Sequence, residues 1–248
     1  MFRTINSLIG YSVLATDGEM GRVDDLLFDE RSWSTAYLVV DIGGLNGRSV
    51  LLPPTAIGRP DSERKRFPVA YSRQQVTDSP GIDLDRPVSR QQGRHVYKYY
   101  GSSPRWIPSS VQATGTMSQA YPTPESGFDE DDPHLLSARE VMHYGVHAID
   151  GMIGDLEDLV ADDTTWGICY LTVDTGDRLA ERRVLVSPLL VKRISWMEEM
   201  VYVDLTLEML RRNPKYNTSL WGTSENRSLR LLWQGRKADL QNDRSSAL

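Results

Sequence analysis

The stretch Asp17-Gly18-Glu19-Met20-Gly21-Arg22-Val23-Asp24-Asp25-Leu26-Leu27-Phe28-Asp29 returns 133 residues later as Asp150-Gly151-Met152-Ile153-Gly154-Asp155-Leu156-Glu157-Asp158-Leu159-Val160-Ala161-Asp162. At the same offset Trp33 falls on Trp166, Tyr37 on Tyr170, Leu38 on Leu171, Val40 on Val173, Asp41 on Asp174 and Gly43 on Gly176. After a one-residue insertion the register resumes, with Arg48 to Pro54 on Arg182 to Pro188 and later Pro80 on Pro214. Similarity held at a fixed offset over this length is the mark of a duplicated unit. Two copies of one domain are the simplest reading.

Within each copy, apolar residues alternate or cluster over four to six positions between turn signals, which is strand patterning and not helical spacing. Asp17-Gly18 and Asp150-Gly151 supply the positive φ that a tight hairpin needs, so a β-hairpin opens each copy. Ala36 to Val40 and Ile168 to Val173 read as central buried strands. Val50-Leu51-Leu52 and Val184-Leu185-Val186 read as further strands that stop near Pro54 and Pro188, where a missing N–H ends the ladder. Phe67 to Val69 and Val201 to Val203 close the copies. Short helices follow from Ser72 and from the Asp204 to Thr206 region, with Pro80 and Pro214 beyond their ends. Strands this short bury little as an open sheet, and curling removes the edges, so a small antiparallel barrel is expected for each copy. Trp33 and Trp166, at the entrance to the central strands, read as core anchors. Burying about 150–250 Å² of indole at about 25 cal/mol per Å² contributes roughly 4–6 kcal/mol before entropy is subtracted.

The expected organisation is a first domain over residues 1–101 with a C-terminal extension, a linker over 102–134, a second domain over 135–220 and a tail over 221–248. The linker reading rests on Pro104, Pro108, Pro122 and Pro124 among Ser, Gly and Thr, ending in Asp129-Glu130-Asp131-Asp132. Trp106 and Ile107 could dock locally. In the tail, Leu229, Leu231, Leu232 and Trp233 give a short segment one apolar side that needs a partner.

The motif D-G-x-x-G-x-[VL]-x-D-[LF]-[LV]-x-D, then Trp, then [YL]-L-x-V-D, then R-x-V-L-[LV]-x-P, resembles the PRC-barrel family. With Ser79 to Asp83, Pro87 to Gln91 and Tyr99 to Gly101, the whole chain is similar to tandem bacterial PRC-barrel proteins. The resemblance implies an all-β fold with short helices, two PRC-type barrels in tandem, and the repeat anchors Gly18, Gly21, Trp33, Asp41, Pro54, Gly151, Gly154, Trp166, Asp174 and Pro188. The family includes the cytoplasmic domain of the photosynthetic reaction centre H subunit and the C-terminal domain of a ribosome maturation factor. It therefore implies adaptor or assembly work, with association with membrane-bound photosynthetic or electron-transfer complexes as one form of it. No segment of this sequence is expected to correspond to the H subunit's membrane helix or to the ribosome factor's additional barrel.

Composition narrows the function classes. Among 248 residues, 40% are hydrophobic and 25% charged, as in ordinary soluble globular chains. The net charge is −6, from 28 Lys plus Arg against 34 Asp plus Glu, which repels polyphosphate and disfavours nucleic acid. Residues 1–101 are nearly balanced, with 13 basic and 12 acidic side chains, so the acidity lies in the linker and second copy. The single cysteine, Cys169, cannot form an internal disulfide, and no secretory leader pattern or transmembrane-length apolar run is present. A cytoplasmic location is expected.

Chemistry-bearing constellations are weak. His143 and His147 are four apart, with Glu140 nearby, but align with a turn and strand of the first copy, where that spacing does not make one face. Asp24/Asp25 and Glu157/Asp158 are neighbours on strands and point apart, which opposes a shared acid–base role. The acidic run Asp129 to Asp132 lacks the alternation of a calcium loop. Cys169 reads as a small core hydrophobe. No catalytic residue, cofactor site or metal site is assigned. The residues left for interaction are Arg59, Arg64, Lys65 and Arg66 in the first copy and Trp233 in the tail. The expectation is a non-enzymatic protein-interaction module with a protein partner, pairing of the copies within or between chains being open and homo-oligomerisation a further option. RNA processing or ribosome assembly is the alternative, prompted by the arginines and the ribosome-factor relative.

Overall fold

Apolar alternation over residues 12–52 and 145–186 is realised as two β-meanders. In the computed structural model, which describes residues 1–43, 48–82, 96, 99–100, 135–176 and 183–211, the protein is mostly β-strand with a few short helices. Among the described residues no helix is long and apolar enough to cross a membrane. The linker and tail expectations, with Trp106, Ile107, Pro214 and Trp233, lie outside the described residues.

One meander runs through β2 (Ser12–Ala15), β3 (Gly18–Asp29), β4 (Ser34–Asp41) and β5 (Ser49–Leu52), the other through β9 (Gly145–Ala148), β10 (Gly151–Asp162), β11 (Ile168–Asp174) and β12 (Arg183–Val186). Their hairpins turn at Gly18 and Gly151, with φ of 141° and 151°. β6 (Arg66–Pro68) then joins β2, and β14 (Met200–Val203) joins β9. Each of these contacts is parallel, so the purely antiparallel arrangement expected from sequence is corrected. The chain passes through a 3₁₀ turn, Pro54–Ala56 or Pro188–Leu190, and returns along the same direction as the first hairpin strand. β7 (Gly81–Ile82) extends the first sheet beyond β5, and β13 (Val191–Ser195) extends the second beyond β14.

Among the described residues both sheets have seven strands, and the hydrogen-bonded order is open: β6-β2-β3-β4-β5-β7 and β12-β11-β10-β9-β14-β13. The first and last strands of each path are not paired among the described residues. The seventh strand of each sheet comes from the other half of the chain. β1 (Phe2–Thr4) lies on β10, with Phe2, Arg3 and Thr4 opposite Asp162, Ala161 and Val160. β8 (Leu135–Ser137) lies on β3, with Leu135, Leu136 and Ser137 opposite Asp29, Phe28 and Leu27. The two registers are the same once 133 is added or subtracted.

The apolar interior is likewise common to both halves. One cluster of buried residues runs from Ile5, Val13, Leu26, Phe28 and Phe67 to Ile153, Leu171, Val201 and Leu210. The open sheets and the shared cluster replace the expectation of a small closed barrel for each copy. Trp33 and Trp166 do share a backbone state, the left-handed region at φ 52° and 56°. Their amides donate to the carbonyls of Asp29 and Asp162, at 2.8 and 2.7 Å. Their rings differ: Trp33 is half-buried and stacks on Phe28 of its own half, whereas Trp166 is buried and stacks on Phe67 of the other.

Close backbone approach explains the second glycine of each motif. A Cβ on Gly21 would lie 2.3 Å from the Asp41 carbonyl oxygen, and one on Gly154 would lie 1.9 Å from that of Asp174. Both are impossible distances for carbon against oxygen. The side chains of Asp41 and Asp174 then accept the amides of Gly43 and Gly176 at 2.8 and 2.9 Å, turning the chain out of the central strands. Gly21→Ala and Gly154→Ala should each lower the unfolding free energy by at least about 2 kcal/mol in urea melts. Gly167→Ala, whose Cβ would meet only the Thr165 hydroxyl at 3.5 Å, should stay within about 0.5 kcal/mol of wild type.

Candidate interaction surfaces

The long strands β3 and β10 carry bulges that explain their acidic pairs. Register shifts fall between Val23 and Asp25, and between Leu156 and Asp158, so Asp24 and Glu157 are the extra residues. The extra residues face outward. Asp24 pairs with Arg139 of the other half at 2.5 Å, and Glu157 pairs with Arg183. Asp25 and Asp158 turn inward, toward the leading segment of the opposite half.

These two carboxylates close a seam. Asp25 accepts the Ser137 hydroxyl and, at 3.0 Å, the Arg139 amide, together with its neighbour's Leu26 amide at 2.7 Å. Asp158 accepts the Asn6 amide at 3.0 Å, the Leu159 amide at 2.8 Å and the Thr4 hydroxyl. Thr4 and Asn6 stand at the positions of Ser137 and Arg139 after the 133-residue shift. Further along the seam, Ser34 bridges Gly167, its own counterpart at that offset. The Thr35 amide donates to the Trp166 carbonyl at 2.9 Å, and the Ile168 amide to the Trp33 carbonyl at 2.7 Å. Phe2 packs edge-on to Tyr170 at 5.8 Å over Val160.

Burial raises the carboxyl pKa of Asp25 against the hydrogen bonds from Ser137, Arg139 and Leu26, and raises that of Asp158 to about 6 against its own donors. Asp163, beside the seam, goes the other way: burial opposes ionisation, but the N-terminal ammonium and Arg3 outweigh it and hold the carboxyl below its usual value.

The two halves differ most at their outer hairpin tips. In the first, Asp61 Oδ1 accepts the amides of Glu63 and Arg64 at 3.0 and 3.1 Å, Lys65 adopts φ 50°, and Asp61 bridges Arg66. The arginines named from sequence are therefore brought together, but each meets a carboxylate: Arg64 with Asp61 at 3.6 Å, Arg66 with Glu19 at 2.5 Å, Arg59 with Asp163 at 3.8 Å. The Arg59 and Arg64 side chains stay 68% and 73% exposed, and Asp163 also serves the N-terminal ammonium and Arg3, so the tip keeps a basic surface.

In the second tip, Glu199 takes φ 50° at the place of Lys65, and Trp196 and Met197 stand 68% and 79% exposed. Glu198 pairs with Arg193 at 2.9 Å, and the Arg193 guanidinium lies 4.2 Å over the Tyr202 ring. Sequence reasoning passed over this tip because Trp196-Met197 sits between strand residues and looks like core. The signal was the Glu198-Glu199 pair beside it, a turn composition.

His143, in the turn before β9, and His147, within β9, do not converge; the His147 Nδ1 atom lies 2.6 Å from the Ala148 carbonyl oxygen. His143 instead edges an open recess of about 420 Å³ with Asp155, Glu157, Asp174 and Gly176. Asp174 is committed to Gly176 and Glu157 to Arg183, which leaves the recess an acidic surface feature. Among the described residues no group of three His, Cys, Asp or Glu side chains could hold a metal ion. Cys169 is half-buried on β11, with its sulfur 3.5 Å from the Gly167 carbonyl oxygen.

Residues 1–76 match the PRC-barrel domain family, a span that covers β1 to β6 and most of the helix Arg73–Thr77. No curated protein matches the chain.

Folding raises the Asp158 pKa above its ordinary 3.8, so the folded state holds the proton more tightly than the unfolded chain. That stabilisation is fully present below about pH 3.8 and is lost as pH rises through about 6. Asp158→Asn removes the dependence. Its stability relative to wild type should grow by roughly 2–3 kcal/mol between pH 4 and pH 8, read from urea melts at each pH.

Proposed function

We propose that this protein is a non-enzymatic assembly module built from two copies of one PRC-type unit, joined within the chain through the seam. The carrying observation is the reciprocity of the strand exchange: β1 on β10 and β8 on β3 keep one register under a single 133-residue offset. The PRC-barrel domain at residues 1–76 supports the first unit directly. The preserved hairpins, bulges, left-handed tryptophans and glycine approaches support the second.

A module of this kind works by holding two unlike tips on one body. The first tip is basic, with Asp61, Glu19 and Asp163 beside its arginines; the second offers Trp196 and Met197 beside Glu198 and Glu199. Exposed aromatic and methionine side chains in a polar surround are the composition of protein contact sites. The net charge of −6 disfavours RNA, and the arginines of the first tip have carboxylates beside them that compete with phosphate.

Immobilised wild-type protein should retain a specific protein partner from native lysate, and Trp196→Ser/Met197→Ser should reduce that retention about tenfold, a loss of about 1.4 kcal/mol. The double variant should leave the melting curve within about 0.5 kcal/mol of wild type, since both side chains are exposed. Loss of binding to structured RNA on Arg64→Glu/Lys65→Glu, or turnover in a substrate screen, would overturn the reading.

A further inference from the structure

We propose that the seam is a dimer interface carried inside one chain, and that a second copy of this chain is a competent partner for it. In the resulting dimer, residues 1–82 of each copy pair with residues 135–211 of the other, and β1 and β8 cross between copies. The inference rests on the duplicated reading above.

Three observations on the seam carry it. First, its contacts are isologous in form: under the 133-residue offset the Ser34–Gly167 contact is its own image, and the Thr35–Trp166 and Ile168–Trp33 contacts are images of each other. That self-complementary pattern is what two-fold pairing of identical surfaces produces. Secondly, neither half completes its own sheet. Among the described residues, the edge of β3 at Leu27 to Asp29 and the edge of β10 at Val160 to Asp162 are covered only by the other half's leading strand. Asp25 and Asp158 likewise have their long-range donors on the opposite half. Thirdly, no contact in the seam depends on which copy supplies each half. The covalent connection between Ile82 and Leu135 alone favours pairing within the chain.

The choice between the two arrangements is then set by concentration. A covalent tether holds its own ends at an effective concentration on the order of millimolar, so intrachain pairing dominates in dilute solution and exchange grows as chains approach that range. A single chain folded alone is closed, and crowded folding or local accumulation yields the exchanged dimer.

Two full-length forms test this, both carrying Cys169→Ser. One adds Ser34→Cys and the other Gly167→Cys. Antiparallel neighbours place their Cα atoms about 4.5–5.5 Å apart, within disulfide reach. A Cβ at Gly167 meets nothing closer than 3.5 Å. The two forms are unfolded together, refolded at a series of concentrations and oxidised. Only the exchanged dimer brings the two introduced thiols together, giving a covalent dimer on a non-reducing gel and, by mass spectrometry, a disulfide-linked peptide pair joining the Ser34→Cys and Gly167→Cys sites. The cross-linked fraction should rise about tenfold for each tenfold rise in chain concentration through the micromolar range. A single chain carrying both substitutions is the companion measurement. If it cross-links internally while the mixed forms never cross-link at any concentration, exchange is overturned and the seam stands. If it forms no disulfide between the two substituted sites, within or between chains, the seam and the function proposed from it fall together.

Discussion

A sheet edge is a row of backbone donors and acceptors that must find partners. In this protein the edges of β3 and β10 find theirs in the leading strand of the opposite half, and the rest of the architecture follows from that need. The bulges at Asp24 and Glu157 turn Asp25 and Asp158 inward, where they receive the amides of Arg139 and Asn6, two residues past the crossing strands. The left-handed tryptophans let the β3–β4 and β10–β11 turns meet each other backbone to backbone. One shared apolar cluster is the consequence.

Burying two carboxylates at such a junction carries a cost. Their partners are neutral amides and hydroxyls, except for the cationic side chain of Arg139, which reaches Asp24 on the outer face. Neutral donors stabilise the ionised form less than a paired charge does, which is why burial prevails and both pKa values rise. Polar groups at these positions also demand particular donors opposite them, so the crossing strand is held in one register by chemistry as well as by pleat.

Much of the local structure was legible in residue order. Asp17-Gly18 and Asp150-Gly151 announced hairpins, Ser72 announced a helix start that closes as a capping box with Gln75, and Gly21 and Gly154 stood out as repeat anchors whose close approach to the backbone the fold explains. The crossing strands were not legible. Phe2–Thr4 and Leu135–Ser137 are three residues each, too short for periodicity, and strand partners are decided by edges that only the assembled sheet presents. For the same reason the parallel contacts of β6 and β14 were missed. The basic cluster from Arg59 to Arg66 was visible, but the carboxylates that answer it come from Asp61, Glu19 and Asp163, two of them distant in sequence. The exposed tip at Trp196 was hidden by its own hydrophobicity, which pattern reading assigns to the interior.

The crossing of β8 onto β3 has a consequence for biosynthesis. Ser137 reaches Asp25 across 112 residues. At synthesis rates of about 5–20 residues per second, the first sheet waits roughly 6–20 s after Asp25 is made for the strand that covers it. Throughout that interval a nascent polypeptide displays an uncapped β ladder to the crowded space around the ribosome. The length of the tether between the halves therefore sets a window of vulnerability during translation, when neighbouring nascent copies on one messenger are near enough to offer their own ends.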